Sequence, residues 1–136
     1  MRVKEKTEKL GSLIKKVDEQ ISLFVRLSAA DENGTISCVC CGERVYYKDS
    51  DCAHFHDRDN MATRFYLPNL GAASRECNRF DHYNHIQRWT LRLSDETLKD
   101  LHERSHSFMK ADRYELGQLL IEYTEKVKQI KKLKGL

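Results

Sequence analysis

All five cysteines of this chain lie between positions 38 and 77, and they are its most chemically capable residues. Cys38-Val39-Cys40-Cys41-Gly42 contains a C-x-x-C-G run. Two thiolates so spaced on a tight turn can ligate one zinc ion, and Gly42 permits the turn. A redox-active C-x-x-C needs a helix N-terminus after its first cysteine; strand-like residues follow here, so the spacing points to zinc. The closing ligands should come from the start of a later helix, where Cys77 stands. Three residues earlier, where a second cysteine would complete the set, is Ser74, whose neutral hydroxyl is a poor zinc ligand. The fourth ligand is therefore open: Cys52, Asp81, a water or none. Cys52 reads equally as a small buried apolar residue, and Cys40 is expected to point away from the metal.

A second constellation follows. Asp51-Cys52-Ala53-His54-Phe55 puts a histidine on a strand, Asn69 follows in a loop, and Asn78 and His82 share one face of the helix after Cys77. Phosphodiester hydrolysis needs a base to activate water, and a neutral imidazole suits that task near pH 7. It also needs a hard cation, Mg²⁺ or Mn²⁺, to stabilise the phosphorane and the leaving oxygen. His54 is the candidate base, Asn69 its orienting residue, and Asn78, His82 and Asp51 the candidate ligands. In a regular strand Asp51 and His54 would face opposite sides. This order of residues is the H-N-H or H-N-N constellation of a ββα-metal nuclease. His56, His85, His102 and His106 are expected at the surface. Arg58, Arg64, Arg75, Arg79, Arg88 and Arg92 flank the set and are candidate phosphate contacts, by guanidinium forks that bond two oxygens. Few residues look able to read base edges, so recognition should be of backbone and shape.

These residues need elements to hold them. Leu10, Leu13, Ile14, Val17, Ile21, Phe24 and Val25 form an apolar stripe that predicts a helix over 3–28, ended by the turn Asp31-Glu32-Asn33-Gly34. Residues 35–37, 44–47 and 52–55 read as short strands of a region too poor in apolar residues to form a core without a metal. Ser74 can cap a helix running through Asn84 towards Arg88. Ser94-Asp95-Glu96 opens another helix, with Leu98, Leu101, Ser105 and Phe108 on one side. Asp112-Arg113-Tyr114-Glu115 has capping-box form and starts a last helix with Leu116, Leu119, Leu120, Tyr123, Val127 and Ile130 as its stripe. The lysines from Lys126 to Lys134 read as a solvated end that suits the helix dipole.

The chain has 136 residues, 40% hydrophobic and 33% charged, which bounds it to one soluble domain: an N-terminal helix to residue 30, a zinc and nuclease core over 35–92, and C-terminal helices over 94–136. No stretch is apolar enough for a membrane span. The charged start lacks the apolar stretch of a secretory signal, which gives the expectation of a reducing cytoplasm, where five cysteines, an odd number, are not a disulfide framework. Net charge is only +3, so nucleic acid would have to be met by a local patch.

Several runs, in order along almost the whole chain, resemble the NinG (Rap) family of recombination nucleases from lambdoid and related phages. They are Phe24-Val25-Arg26-Leu27, Asn33-Gly34 with Thr35 through Gly42, Asp51 through Phe55 with Arg58, Met61-Ala62-Thr63-Arg64-Phe65, Asn69, Cys77-Asn78-Arg79-Phe80 with Asn84, and Arg113-Tyr114-Glu115-Leu116. The resemblance implies an α+β fold, a treble-clef zinc core carrying the HNH (ββα-metal) motif, flanked by N- and C-terminal helices. It implies cleavage of branched or junction DNA, such as a Holliday junction, dependent on a divalent metal, in a bacterial host cell. Ser74 stands in place of the family's third zinc cysteine, Gly71 and Ala73 in place of a His and a Gln, and Ser28 in place of an Arg. Symmetric cutting of a junction would call for a homodimer. Two other readings stand beside the nuclease: a non-catalytic zinc module that binds DNA, motivated by Ser74, and an adaptor whose helices bind a recombinase.

Overall fold

A computed structural model describes residues 8–136, the side chain of His82 excepted. The apolar stripe forms helix α1, Leu10–Ala29. Its expected start lies in residues 1–7, outside the described residues; Lys9 is extended, so the described helix begins at Leu10. After α1 the carboxylate of Asp31 accepts from the amides of Asn33 and Thr35, both at 2.9 Å, and shapes the expected turn. Gly34 completes it at φ 80°, where a Cβ would sit 2.5 Å from the Tyr46 ring.

Strand β1, Thr35–Ser37, pairs antiparallel with β2, Arg44–Tyr46, and the cysteine turn joins them. A 3₁₀ turn leads into β3, Ser50–His54, which pairs antiparallel with β4, Leu70–Ser74. Sequence reading misses β4. Its Leu-Gly-Ala-Ala-Ser run lacks the β-branched signature of a strand, and every residue of it is buried. The connection from β3 to β4 carries the short helix α2, Met61–Arg64. Gly71 lies beneath Val39 and Trp89, and a Cβ there would approach their side chains to 3.0 and 3.1 Å. That packing is the physical reason a larger side chain does not fit at this position.

Ser74 caps helix α3, Arg75–Phe80, as expected. The single helix expected to continue towards Arg88 is broken at Asp81 (φ −129°, ψ 45°), and α4, His82–Arg92, starts anew. An aspartate competes with the helix interior and favours a helix start. Here its carbonyl accepts from the amide of His85, while its carboxylate accepts from the Asn84 amide at 2.8 Å. The break carries His85 and Trp89 into a core cluster with Cys38, Cys40, Ala53, Ala73 and Cys77. His85, expected at the surface, is 1% exposed.

Ser94 caps α5, Asp95–Ser105, through the amide of Thr97. Leu101 is buried, but Phe108 lies beyond the helix end and is 89% exposed, so the expected one-sided face stops at Ser105. The carboxylate of Asp112 caps α6, Arg113–Lys134, whose stripe buries Leu116, Tyr123 and Val127 as expected. Helices α1 and α6 run side by side in one direction. Arg113 bonds the Glu8 carbonyl at one end, Phe24 and Tyr123 meet edge to face, and Lys134 reaches the far end. There the Lys134 ammonium donates to the carbonyls of Leu27, Ser28 and Ala30 at 2.7, 3.1 and 2.6 Å. Lys134 is thus a cap on α1 and not a solvated end. The helices close over Cys52, Leu70 and Ala72 of the β3–β4 hairpin. The fold is α+β with two small antiparallel sheets. No described helix is long and apolar enough to cross a membrane.

Candidate functional site

The turn between β1 and β2 folds around Gly42 (φ 76°), whose amide donates to the Cys38 carbonyl at 2.9 Å. It holds Cys38 and Cys41 against Cys77 on the first turn of α3, and the three sulfur atoms lie within 4.8 Å of one another. A hydrogen bond from the Cys40 thiol, aided by the amides of Cys41, Ser74 and Cys40, pulls the Cys38 thiol down to about 3 against the effect of burial. Cys38 is therefore the sulfur of the three that these bonds favour as a thiolate. Burial pushes Cys77 up to about 11, with the Ser74 hydroxyl pulling the other way. Three sulfurs at this spacing fit a metal ion that prefers thiolate, such as structural zinc.

The candidates for a fourth ligand separate. Ser74 accepts the amide of Cys77 at 3.3 Å and bonds its sulfur, so it supports a ligand and is not one itself. Cys52 sits buried on β3 near Arg26 and Arg58, raised to about 12 by desolvation, and is not in the cluster. Asp81 is occupied by Asn84 and by Arg88 at 3.4 Å. Cys40, expected to point away, turns into the core, with its sulfur 3.0 Å from His85 Nδ1.

The β3–β4 register runs unbroken from Ser50 opposite Ser74 to His54 opposite Leu70, so Asp51 and His54 project from opposite faces of β3. His54 is half-buried; desolvation first, then the Arg58 cation, lowers it to about 4, and its imidazole is neutral at pH 7. Asn69 is fully buried. Its amide donates to the carbonyls of His56 and Thr63, both at 3.1 Å, and its oxygen accepts the His56 amide at 2.8 Å. Asn69 thus pins the segment that follows His54.

On the other face, Asn78 donates to Asp51 Oδ2 at 3.1 Å, and Arg79 takes both carboxylate oxygens. Burial opposes ionisation of Asp51, but the bonds from Arg79 and Asn78 hold its carboxyl below the usual range. The surrounding pocket, about 350 Å³, is lined by Arg26, Arg58, Arg75 and Arg79 with Asp51 as its one acid. Asp51 and Asn78 offer oxygens of the kind a hard cation uses. As arranged they do not fit one, because Arg79 occupies the carboxylate and four guanidiniums surround it. The pocket suits an anion. The His82 side chain, a further candidate ligand, lies outside the described residues.

The other arginines divide. Arg58 has no carboxylate at ion-pair distance among the described residues, lines the pocket and neighbours His54. Arg75 donates to the Lys48 carbonyl at 2.9 Å and lies 3.9 Å from Asp51. Arg64 instead forms a two-bond ion pair with Asp18 of α1, at 3.1 and 2.5 Å, with little exposure of either side chain. Arg88 pairs with Asp81, and Arg92 lies against the Cys38 carbonyl at 3.5 Å. Sequence reading missed Arg26, whose one signal is a cation inside the apolar run from Phe24 to Leu27. It donates to the Tyr47 carbonyl at 3.1 Å. It also passed over His102-Glu103-Arg104-Ser105-His106, an H-E-x-x-H spacing. No family model, curated protein or solved structure matches the chain.

Proposed function

We propose that the chain is an HNH-type endonuclease of branched DNA, similar to the NinG family, built on a treble-clef zinc core. The observation that carries this reading is the half-buried His54 at the end of β3 beside Arg58, a guanidinium that also lines the pocket at the start of α3. The cysteine turn, the β3–β4 hairpin and α3 follow in the order a treble clef requires, with Cys38, Cys41 and Cys77 converging. In this reading zinc ties the turn to α3 and its binding energy is folding energy.

His54 accepts a proton from the attacking water. Asn69 keeps the backbone beyond His54 fixed, and Arg58, which neighbours His54, holds the phosphate. A Mg²⁺ or Mn²⁺ ion belongs to the reading by resemblance alone, since Asp51 and Asn78 as arranged here do not hold one. At the break between α3 and α4, Phe80 is 83% and Tyr83 75% exposed. Exposed aromatic rings among arginines are suited to stacking unpaired bases, which favours branched over continuous duplex DNA.

A second reading, a zinc module that binds DNA without cutting it, is favoured by one observation: Arg79 covers Asp51, on the face of β3 opposite His54. Incubation with nicked, forked and four-way DNA in Mg²⁺ or Mn²⁺ separates the two. Metal-dependent products support the nuclease, and binding without products supports the second reading.

A further inference from the structure

His102 and His106 stand four residues apart at the end of α5, so both imidazoles leave the same side of the helix. Their ring centroids are 4.6 Å apart, edge to face. Helices present two imidazoles to zinc with this H-E-x-x-H spacing. Opposite them runs the segment that leaves β3. His56 lines the same cavity as His106, against which the His102 ring stands edge to face. The Asn60 amide donates to the Ser105 carbonyl at 2.6 Å and clamps the segment to α5 between the two histidines. Its oxygen is buried with no hydrogen-bond donor among the described residues. A cavity of about 470 Å³ opens here, lined by His56, Asp57, Asp59, Asn60, Ser105 and His106.

We propose that His102, His106 and His56 form a binding site for a divalent transition-metal ion, separate from the cysteine cluster. Three imidazoles select zinc, nickel, cobalt or copper over magnesium, and the carboxylates of Asp57 and Asp59 favour a cation in the cavity. The Asn60 amide, bonded to the Ser105 carbonyl, holds the segment carrying His56 against α5. Among the described residues only the cysteines already share ligand spacing, so His56 closes the site by turning about its side-chain bonds. Glu103 is exposed and is not a ligand.

The test is a titration of the full chain with Co²⁺ alone, read by absorption. Thiolate ligands give a near-ultraviolet charge-transfer band that imidazole ligands do not. The expected result is one equivalent of cobalt that adds visible d–d absorption with no added thiolate band. A His102→Gln/His106→Gln double variant should lose that equivalent whether or not the cysteine cluster fills. Its metal-free melt should be unchanged, since both side chains are exposed. His56→Gln should weaken the same equivalent by about tenfold or more. Equal cobalt stoichiometry in the double variant, a thiolate band on every bound cobalt, or full affinity in His56→Gln would overturn the assignment.

Discussion

Arg79 holds both oxygens of Asp51, with Nε 2.8 Å from Oδ2 and a terminal nitrogen 2.9 Å from Oδ1. The cation beside this carboxylate is therefore a guanidinium of the protein. Arg79 has less of its charge to give to phosphate than Arg58, which carries no such partner among the described residues. Arg58→Ala should lower the slope of log affinity for DNA against log salt by about one, and Arg79→Ala by clearly less. Equal slopes for the two variants would show that Asp51 releases Arg79 on binding.

Arg64 is expected from sequence to meet DNA, but its bond to Asp18 joins α2 to α1 with little exposure. Removing it strands a largely buried carboxylate. Arg64→Ala should cost about 2–3 kcal/mol in urea unfolding. A stable variant with weakened DNA binding would return Arg64 to the interface.

The burial of His54 has a consequence for acid stability. Its folded pKa, about 4, lies below the ordinary histidine value. Between pH 6.5 and 4 the unfolded chain therefore binds a proton that the folded chain does not. Stability from this group is fully present above the unfolded pKa and is lost as pH falls through that window, on the order of 2–3 kcal/mol. His56, also lowered, adds to the same slope. His54→Gln should flatten unfolding free energy against pH by more than half; an unchanged slope would contradict the assigned shift.

Ser74 caps α3 and supports Cys77. Ser74→Cys removes the cap, at a cost of about 1 kcal/mol, and adds a fourth thiol next to the cluster. The variant should melt below the parent in chelator and above it in zinc, by thermal melts with metal content measured in parallel. A lower melt in both conditions would place residue 74 out of reach of the metal.

Local signals carried far in this chain. The spacing of Leu13, Val17 and Ile21 predicts the buried face of α1, and Ser74, Ser94 and Asp112 each cap the helix that follows. The convergence of Cys38, Cys41 and Cys77 was also legible, because C-x-x-C-G dictates a turn and Cys77 opens a helix. What failed depends on partners distant in sequence. Strand β4 is defined by Val39 and Trp89 packing on Gly71, not by its own propensity. His85 is buried because Asp81 breaks the helix and turns it towards Cys40. Arg64 finds Asp18 across 46 positions, and no local pattern announces that pair.

If His54 is the base of a nuclease, its removal costs cleavage and spares binding. Four-way and forked DNA should be incubated with the parent chain and with His54→Ala in Mg²⁺ or Mn²⁺, with affinity measured alongside cutting. General-base catalysis is worth roughly 10²–10⁴-fold, so the variant should lose cleavage by that factor while binding DNA as the parent does. Cutting by His54→Ala at the parental rate would show that His54 is not the base, and no cutting by a parent chain that is folded and bound would show that the chain is not a nuclease.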